Sequence, residues 1–168
     1  MSWAEATYEG LKANSVRLIC YLPDTPISKL IELVEGDPEF EVVPLAREEE
    51  GIGILAGGWM GGMRGAMIFQ NSGLGNSINA LCSLAIPQQI PFLLFMSYRG
   101  DVGDFNPVQL PIGRITEPVL DLLAIQHVML WREEDVRPMI DRACKTAFNA
   151  NLPIAFLLPR ELTGGKEG

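Results

Sequence analysis

Residues 46–62 read AREEEGIGILAGGWMGG: three consecutive carboxylates, Glu48, Glu49 and Glu50, open a segment made almost entirely of glycine and apolar side chains. Acids in the first turn of a helix complement its dipole, which alone would justify charge there. Successive helical residues point about 100° apart, so at most one of the three can face a ligand squarely. Glu49 stands above Gly53, Ala56 and Gly57 at helical spacing, on a face without bulk where a second chain or a ligand could approach closely. Glu50 shares part of that face. Desolvation against apolar surface disfavours the charged form of a carboxylate and equips it as a proton donor near neutral pH.

A second candidate is QNSGLGNSIN, residues 70–79. A strand, a glycine turn and a helix start can bind an anion through backbone amides. The stretch lacks the lysine of a P-loop and the full spacing of a dinucleotide fingerprint. Ser72, Asn76 and Asn79 can bind polar ligand atoms or cap the helix. GDVGDFN, residues 100–106, resembles part of a metal loop but has no later acidic ligand at the required spacing, so it reads as a polar loop. Arg99 and Arg114 flank it and could hold an anionic substrate by planar two-point contacts, or serve at the surface. His127 is the single histidine and reads as structural. Cys20, Cys82 and Cys144 are far apart in apolar surroundings, and are expected to be buried small hydrophobes in a reducing cytoplasm. No metal ligand set is expected.

These residues must be positioned by the elements around them. Apolar runs at 16–22, 40–45, 65–70, 91–98, 127–131 and 153–159 predict six strands. Helices are expected over 2–13, from about 24 to 34, through the glycine-rich segment, over 75–86 and 116–124, and after 131, where Val136, Ile140, Ala143, Ala147 and Phe148 share one face. Residues 99–113 read as a Pro/Gly-rich loop. Strands apolar on both faces, alternating with helices, specify an α/β fold: a doubly wound, six-stranded, mainly parallel sheet with helices on both faces. One domain over 1–162 and a loose tail over 163–168 are expected. Ligands gather beyond the carboxyl ends of such strands, so LPDTP, LAREEEG, QNSGLGN and SYRGDVGDFNP should share one rim. A net charge of −8 speaks against nucleic acid. No apolar run approaches the roughly 20 residues of a membrane span, and MSWAEATYEG does not read as a signal peptide.

Taken in order, YLPDTPISKLIELVE, REEEGIGILAGGW, MIFQNSGLGNSINAL and YRGDVGDFNPVQLPIGRIT resemble the pyrimidine-binding domain of thiamine-diphosphate-dependent decarboxylases. The similarity is strongest to the sulfopyruvate decarboxylase alpha-subunit family, with phosphonopyruvate decarboxylases next, and covers nearly the whole chain. It implies that Glu49 is the catalytic carboxylate, which hydrogen-bonds N1′ of the cofactor's aminopyrimidine and drives the proton exchange that activates the thiazolium. It also places Pro23, Ser72, Gly73 and Asn76 around the pyrimidine or its supporting turn.

The family's diphosphate- and magnesium-binding motif, a GDG followed downstream by Asn, is missing. The resemblance therefore implies a diphosphate-binding beta subunit that binds Mg2+ and shares thiamine diphosphate with this chain, in a cytoplasmic assembly that is also expected to be a homo-oligomer. The expected substrate is a small anionic 2-oxo acid, 3-sulfopyruvate first and 3-phosphonopyruvate second. Arg99 is the candidate contact for its second anionic group, with Asn71 and Gln109 as neutral donors. A non-catalytic binding module on the same fold is the alternative; Glu49 speaks against it, since a degenerate copy has no reason to retain that residue.

Overall fold

The structure is a computed structural model that describes residues 1–165. Helix α1 (Trp3–Ala13) opens with Ser2 and Glu5 in a reciprocal capping box, as their spacing predicts. It is followed by β1 (Val16–Tyr21), a 3-10 turn at Thr25–Ile27, α2 (Ser28–Glu35), β2 (Glu41–Pro44) and α3 (Glu48–Met60). Then come β3 (Arg64–Gln70), α4 (Gly73–Ala80) with a π-helical continuation over Leu81–Ala85, and β4 (Leu93–Ser97). The chain ends with α5 (Leu110–Leu122), β5 (Gln126–Met129), α6 (Glu133–Ala150), β6 (Ile154–Leu158) and α7 (Arg160–Thr163).

All six strands are parallel, in the order β2-β1-β3-β4-β6-β5. Every residue of the central strands β4 and β6 is buried, because helices cover both faces of the sheet. One apolar layer lies under α1, α2 and α6 and includes Leu11, Ile19, Leu30, Phe95, Ile140 and Phe156. The opposite layer lies under α3, α4 and α5 and includes Ile52, Leu55, Met67, Phe69, Leu74 and Leu120. Burial of these side chains stabilises the fold by about 1.5–3 kcal/mol for each large one. The chain reverses direction across the sheet at β1, which lies between β2 and β3, so the crevice beyond β1 and β3 is the switch point where ligands of such sheets bind.

Two expectations need correction. Helix α5 begins at Leu110 rather than 116. The Pro/Gly content of 107–113 reads as loop, yet Pro111 stands in the first helical turn, where a missing amide costs nothing, and Gly113 is needed for packing. A Cβ on Gly113 would collide with the Gly100 backbone, and one on Gly100 with Gln109 and Gly113. Cys82 is exposed, on the solvent side of the π-helical continuation; Cys20 and Cys144 are buried. Near the boundary expected at 162, Thr163 closes α7 and its hydroxyl accepts from the Gly165 amide at 3.3 Å. Residues 166–168 lie outside the described residues.

Candidate active site at the carboxyl rim of the sheet

The loops after β1, β2, β3 and β4 share the carboxyl rim because all four strands run parallel. Side chains tie neighbouring loops together. Ser97, at the end of β4, donates to Asp24 Oδ2 after β1 at 2.6 Å. Asn71, after β3, is fully buried; its amide donates to the Arg99 carbonyl and to Thr116 Oγ1, both at 3.0 Å, and accepts from the Arg99 amide at 3.1 Å. Asn71 is therefore the link between β3, the loop after β4 and α5. Gln109, the other neutral candidate, accepts from Gln70 Nε2 at 2.9 Å.

The acidic triplet divides into three environments. Glu50 Oε2 accepts from the amides of Ala46 and Arg47 at 3.1 and 3.2 Å, and so satisfies donors at the start of α3. Glu48 Oε2 accepts from Asn76 Nδ2 at 2.8 Å, which joins the starts of α3 and α4. Glu49 Oε1 pairs with Arg47 Nε at 2.8 Å in a largely exposed contact, of the kind that contributes at most about 1 kcal/mol. Glu49 Oε2 is buried and has no hydrogen-bond partner; among the described residues it is the one buried side-chain oxygen or nitrogen so placed. A buried acceptor left unsatisfied costs about 1–3 kcal/mol. Such an orphan at a sheet rim is a functional signal, because a bound donor would remove the penalty.

Around Glu49 the face is open. Gly53 and Gly57 continue its helical stripe, are exposed and have nothing within 4 Å of the position a Cβ would take; the same holds for Gly75 on α4. Pro23, Ser72 and Asn76 are exposed on the loops or first turns after β1 and β3, and Gly73 is buried beneath the Glu48 side chain. Thus Glu49, Pro23, Ser72, Gly73 and Asn76 all occupy the rim of the three adjacent strands β2, β1 and β3.

Arg99 occupies a different setting from the one expected of an anion receptor. Its Nε and Nη2 both donate to Asp104, at 2.8 and 3.0 Å, and both side chains are nearly buried. The Arg99 guanidinium holds the Asp104 carboxyl well below the usual carboxylate range, helped by amide donation from Asn106 and Gly100. A substrate anion would have to compete with this internal carboxylate. Arg114 is exposed on α5 and makes no ion pair among the described residues. It lines a cavity of about 290 Å³ with Tyr98, Gly100, Asp101, Leu110 and Gly113. His127 sits on the edge strand β5, 3.5 Å from Glu117 Oε2, away from the other candidates. Among the described residues no group of three or more His, Cys, Asp or Glu could hold a metal ion, and no helix is long and apolar enough to cross a membrane.

Two contacts of the rim have no signature of their own in the sequence. Glu48 reads as one more first-turn acid, and nothing local reveals its bond to a residue 28 positions away. The same holds for Thr116, which looks like an ordinary helical residue until the topology sets it against Asn71. The small residue at Gly73 is the available signal, since it makes room for a crossing side chain.

No family model matches the chain. Curated relatives do. It is 38% identical over 152 residues to the sulfopyruvate decarboxylase subunit alpha of Methanocaldococcus jannaschii, covering 90% of each chain. It is 33% identical over 158 residues to the protein of the same name from Methanococcus maripaludis, covering 94% of this chain and 95% of that one. The phosphonopyruvate decarboxylase of Streptomyces viridochromogenes is 34% identical over 153 residues, which is 90% of this chain but 38% of the longer relative. Among solved structures, a 2-oxoglutarate:ferredoxin oxidoreductase from Magnetococcus marinus shares the fold, with a TM-score of 0.75 at 15% identity over 97% of this chain and 29% of that one. The identity of 33–38% and the near-complete mutual coverage with the alpha subunits place this chain in the sulfopyruvate decarboxylase alpha-subunit family.

Proposed function

We propose that this chain is the pyrimidine-binding subunit of a thiamine-diphosphate-dependent carboxy-lyase that converts 3-sulfopyruvate to sulfoacetaldehyde and carbon dioxide. The observation that carries the reading is the buried, unpartnered Oε2 of Glu49 on the carboxyl rim. The donor set fits the cofactor: a carboxylate with one unsatisfied oxygen can accept a hydrogen bond from a protonated ring nitrogen and, once protonated, return the proton. Thiamine diphosphate supplies a carbon nucleophile and an electron sink when bound. Glu49 would exchange a proton at N1′ of the pyrimidine, after turning its carboxylate away from Arg47. Pro23, Ser72, Gly73 and Asn76 would line or support the same ring.

The sequence lacks a GDG motif, so the diphosphate and Mg2+ are assigned to a beta subunit, with the cofactor held between the two chains and the assembly a higher oligomer in the cytoplasm. The substrate's second anionic group is assigned to the loop after β4. Arg114, on α5 beside the loop, is the exposed cation facing it, Arg99 holds the loop through Asp104, and Asn71 and Gln109 support it. Phosphonopyruvate is the second substrate to test, given the 34% identity to a phosphonopyruvate decarboxylase.

The test is co-expression with a candidate diphosphate-domain subunit, followed by assay on both oxo acids with thiamine diphosphate and Mg2+. Turnover of 3-sulfopyruvate by the pair, and none by this chain alone, is expected. Tight cofactor binding by this chain alone, measured by calorimetry, would contradict the division of labour.

A further inference from the structure

Glu48 bonds across to the next helix, at the surface of the rim. Its Oε2 accepts from Asn76 Nδ2 at 2.8 Å, and its side chain crosses the first residue of α4 at Gly73. A Cβ on Gly73 would collide with the Glu48 Cγ and carboxyl group. The contact therefore needs three residues together: an acid at 48, a donor at 76 and no side chain at 73. It also brings a carboxylate to the start of α4, where the helix dipole favours negative charge.

We infer that Glu48 is a positioning residue, which clamps the start of α3 to the first turn of α4 and so fixes Glu49 relative to Ser72, Gly73 and Asn76. The inference rests on the function proposed above for Glu49. Glu48 and Glu49 share one peptide unit, so a shift of the α3 start moves both. Catalytic geometry tolerates little of this: a displacement near 1 Å can cost about 100-fold in rate. A dipole partner alone would need neither Asn76 nor the space above Gly73. Glutamine at 48 separates the two roles, since its amide oxygen still accepts from Asn76 but carries no charge.

The experiment uses the full chain assembled with its diphosphate-binding subunit. Glu48→Ala is expected to lower kcat roughly 10- to 100-fold with KM changed little. Amide exchange over residues 73–77, measured without cofactor, should accelerate. Glu48→Gln should restore both readouts. Asn76→Ala should reproduce the loss, and the double variant Glu48→Ala/Asn76→Ala should be no worse than either single one. Gly73→Ala provides a variant that is not expected to unfold, because it needs only a flexible side chain to move. It should lower kcat while leaving the thermal midpoint unchanged or higher, and should add nothing in the Glu48→Ala background.

Wild-type kcat and exchange in Glu48→Ala would overturn the clamp, and so would a Glu48→Gln variant as impaired as Glu48→Ala. Glu49→Gln, measured alongside, keeps the two failures apart. Persistent turnover in that variant sinks the proposed function itself. A dead Glu49→Gln beside an unaffected Glu48→Ala sinks only the clamp.

Discussion

Glu50 caps the backbone of its own helix, Glu48 binds Asn76 on the next one, and Glu49 leaves a buried oxygen without a donor. Identical chemistry thus takes three roles because each residue of the turn faces a different direction. Glu50→Ala should therefore lower stability by about 1 kcal/mol, the ordinary cost of a lost cap, and leave kcat near wild type; thermal unfolding and a turnover assay check this. The two arginines of the rim should also separate. Arg114→Ala is expected to raise KM for 3-sulfopyruvate much more than for pyruvate, which has no second anionic group, with kcat little changed. Arg99→Ala should instead destabilise the fold and leave Asp104 nearly buried without its cation, a loss of about 3–5 kcal/mol by denaturant unfolding. Equal KM effects on both substrates from Arg114→Ala would move the anion contact to another residue. The identity of the special glutamate was only half legible in the sequence. Helical spacing narrows the triplet to Glu49 and Glu50, and the resemblance selects Glu49. No one-dimensional pattern shows which oxygen lacks a partner.

At the level of elements, the strands were legible because parallel strands covered on both faces must be apolar throughout. The loop after β4 was legible only as a loop. Its structure comes from Asp104, which accepts from Arg99, Gly100 and Asn106, and from the close approach of Gly100 to Gly113. Neither feature has a local signature, and the same glycines and prolines concealed the first turn of α5. Asp104 titrates well below its unfolded value, so its pair with Arg99 contributes stability above about pH 4, and that contribution is lost as pH falls toward the folded value. Asp104→Asn should lower stability at neutral pH and weaken the acid dependence between about pH 4 and 2, as read from urea midpoints across that range. Identical acid dependence in both proteins would remove Asp104 from this role. Gly100→Ala should cost at least about 1–3 kcal/mol for its φ of +87° alone, before the collision with Gln109 is counted.

Viewed whole, the molecule is a three-layer sandwich with its chemistry along one rim and an exposed face of α3 and α4 studded with Gly53, Gly57 and Gly75. Burial separates its thiols. Cys20 and Cys144 are inside and pushed up to about 12, whereas Cys82 is exposed. One thiol should react with a disulfide reagent in the native chain and three after denaturation; rapid reaction of all three in the native chain would contradict the packing of both layers. Under the proposed function, this chain contributes one decisive carboxylate, Glu49, to a decarboxylase completed by a second subunit. The most direct measurement of this is carbon dioxide release from 3-sulfopyruvate by the assembled complex carrying Glu49→Gln, with assembly and thiamine diphosphate binding quantified on the same sample. The expected complex assembles and binds cofactor yet has lost turnover, because an amide cannot exchange the proton. Near-normal carbon dioxide release from that complex would contradict the proposed function.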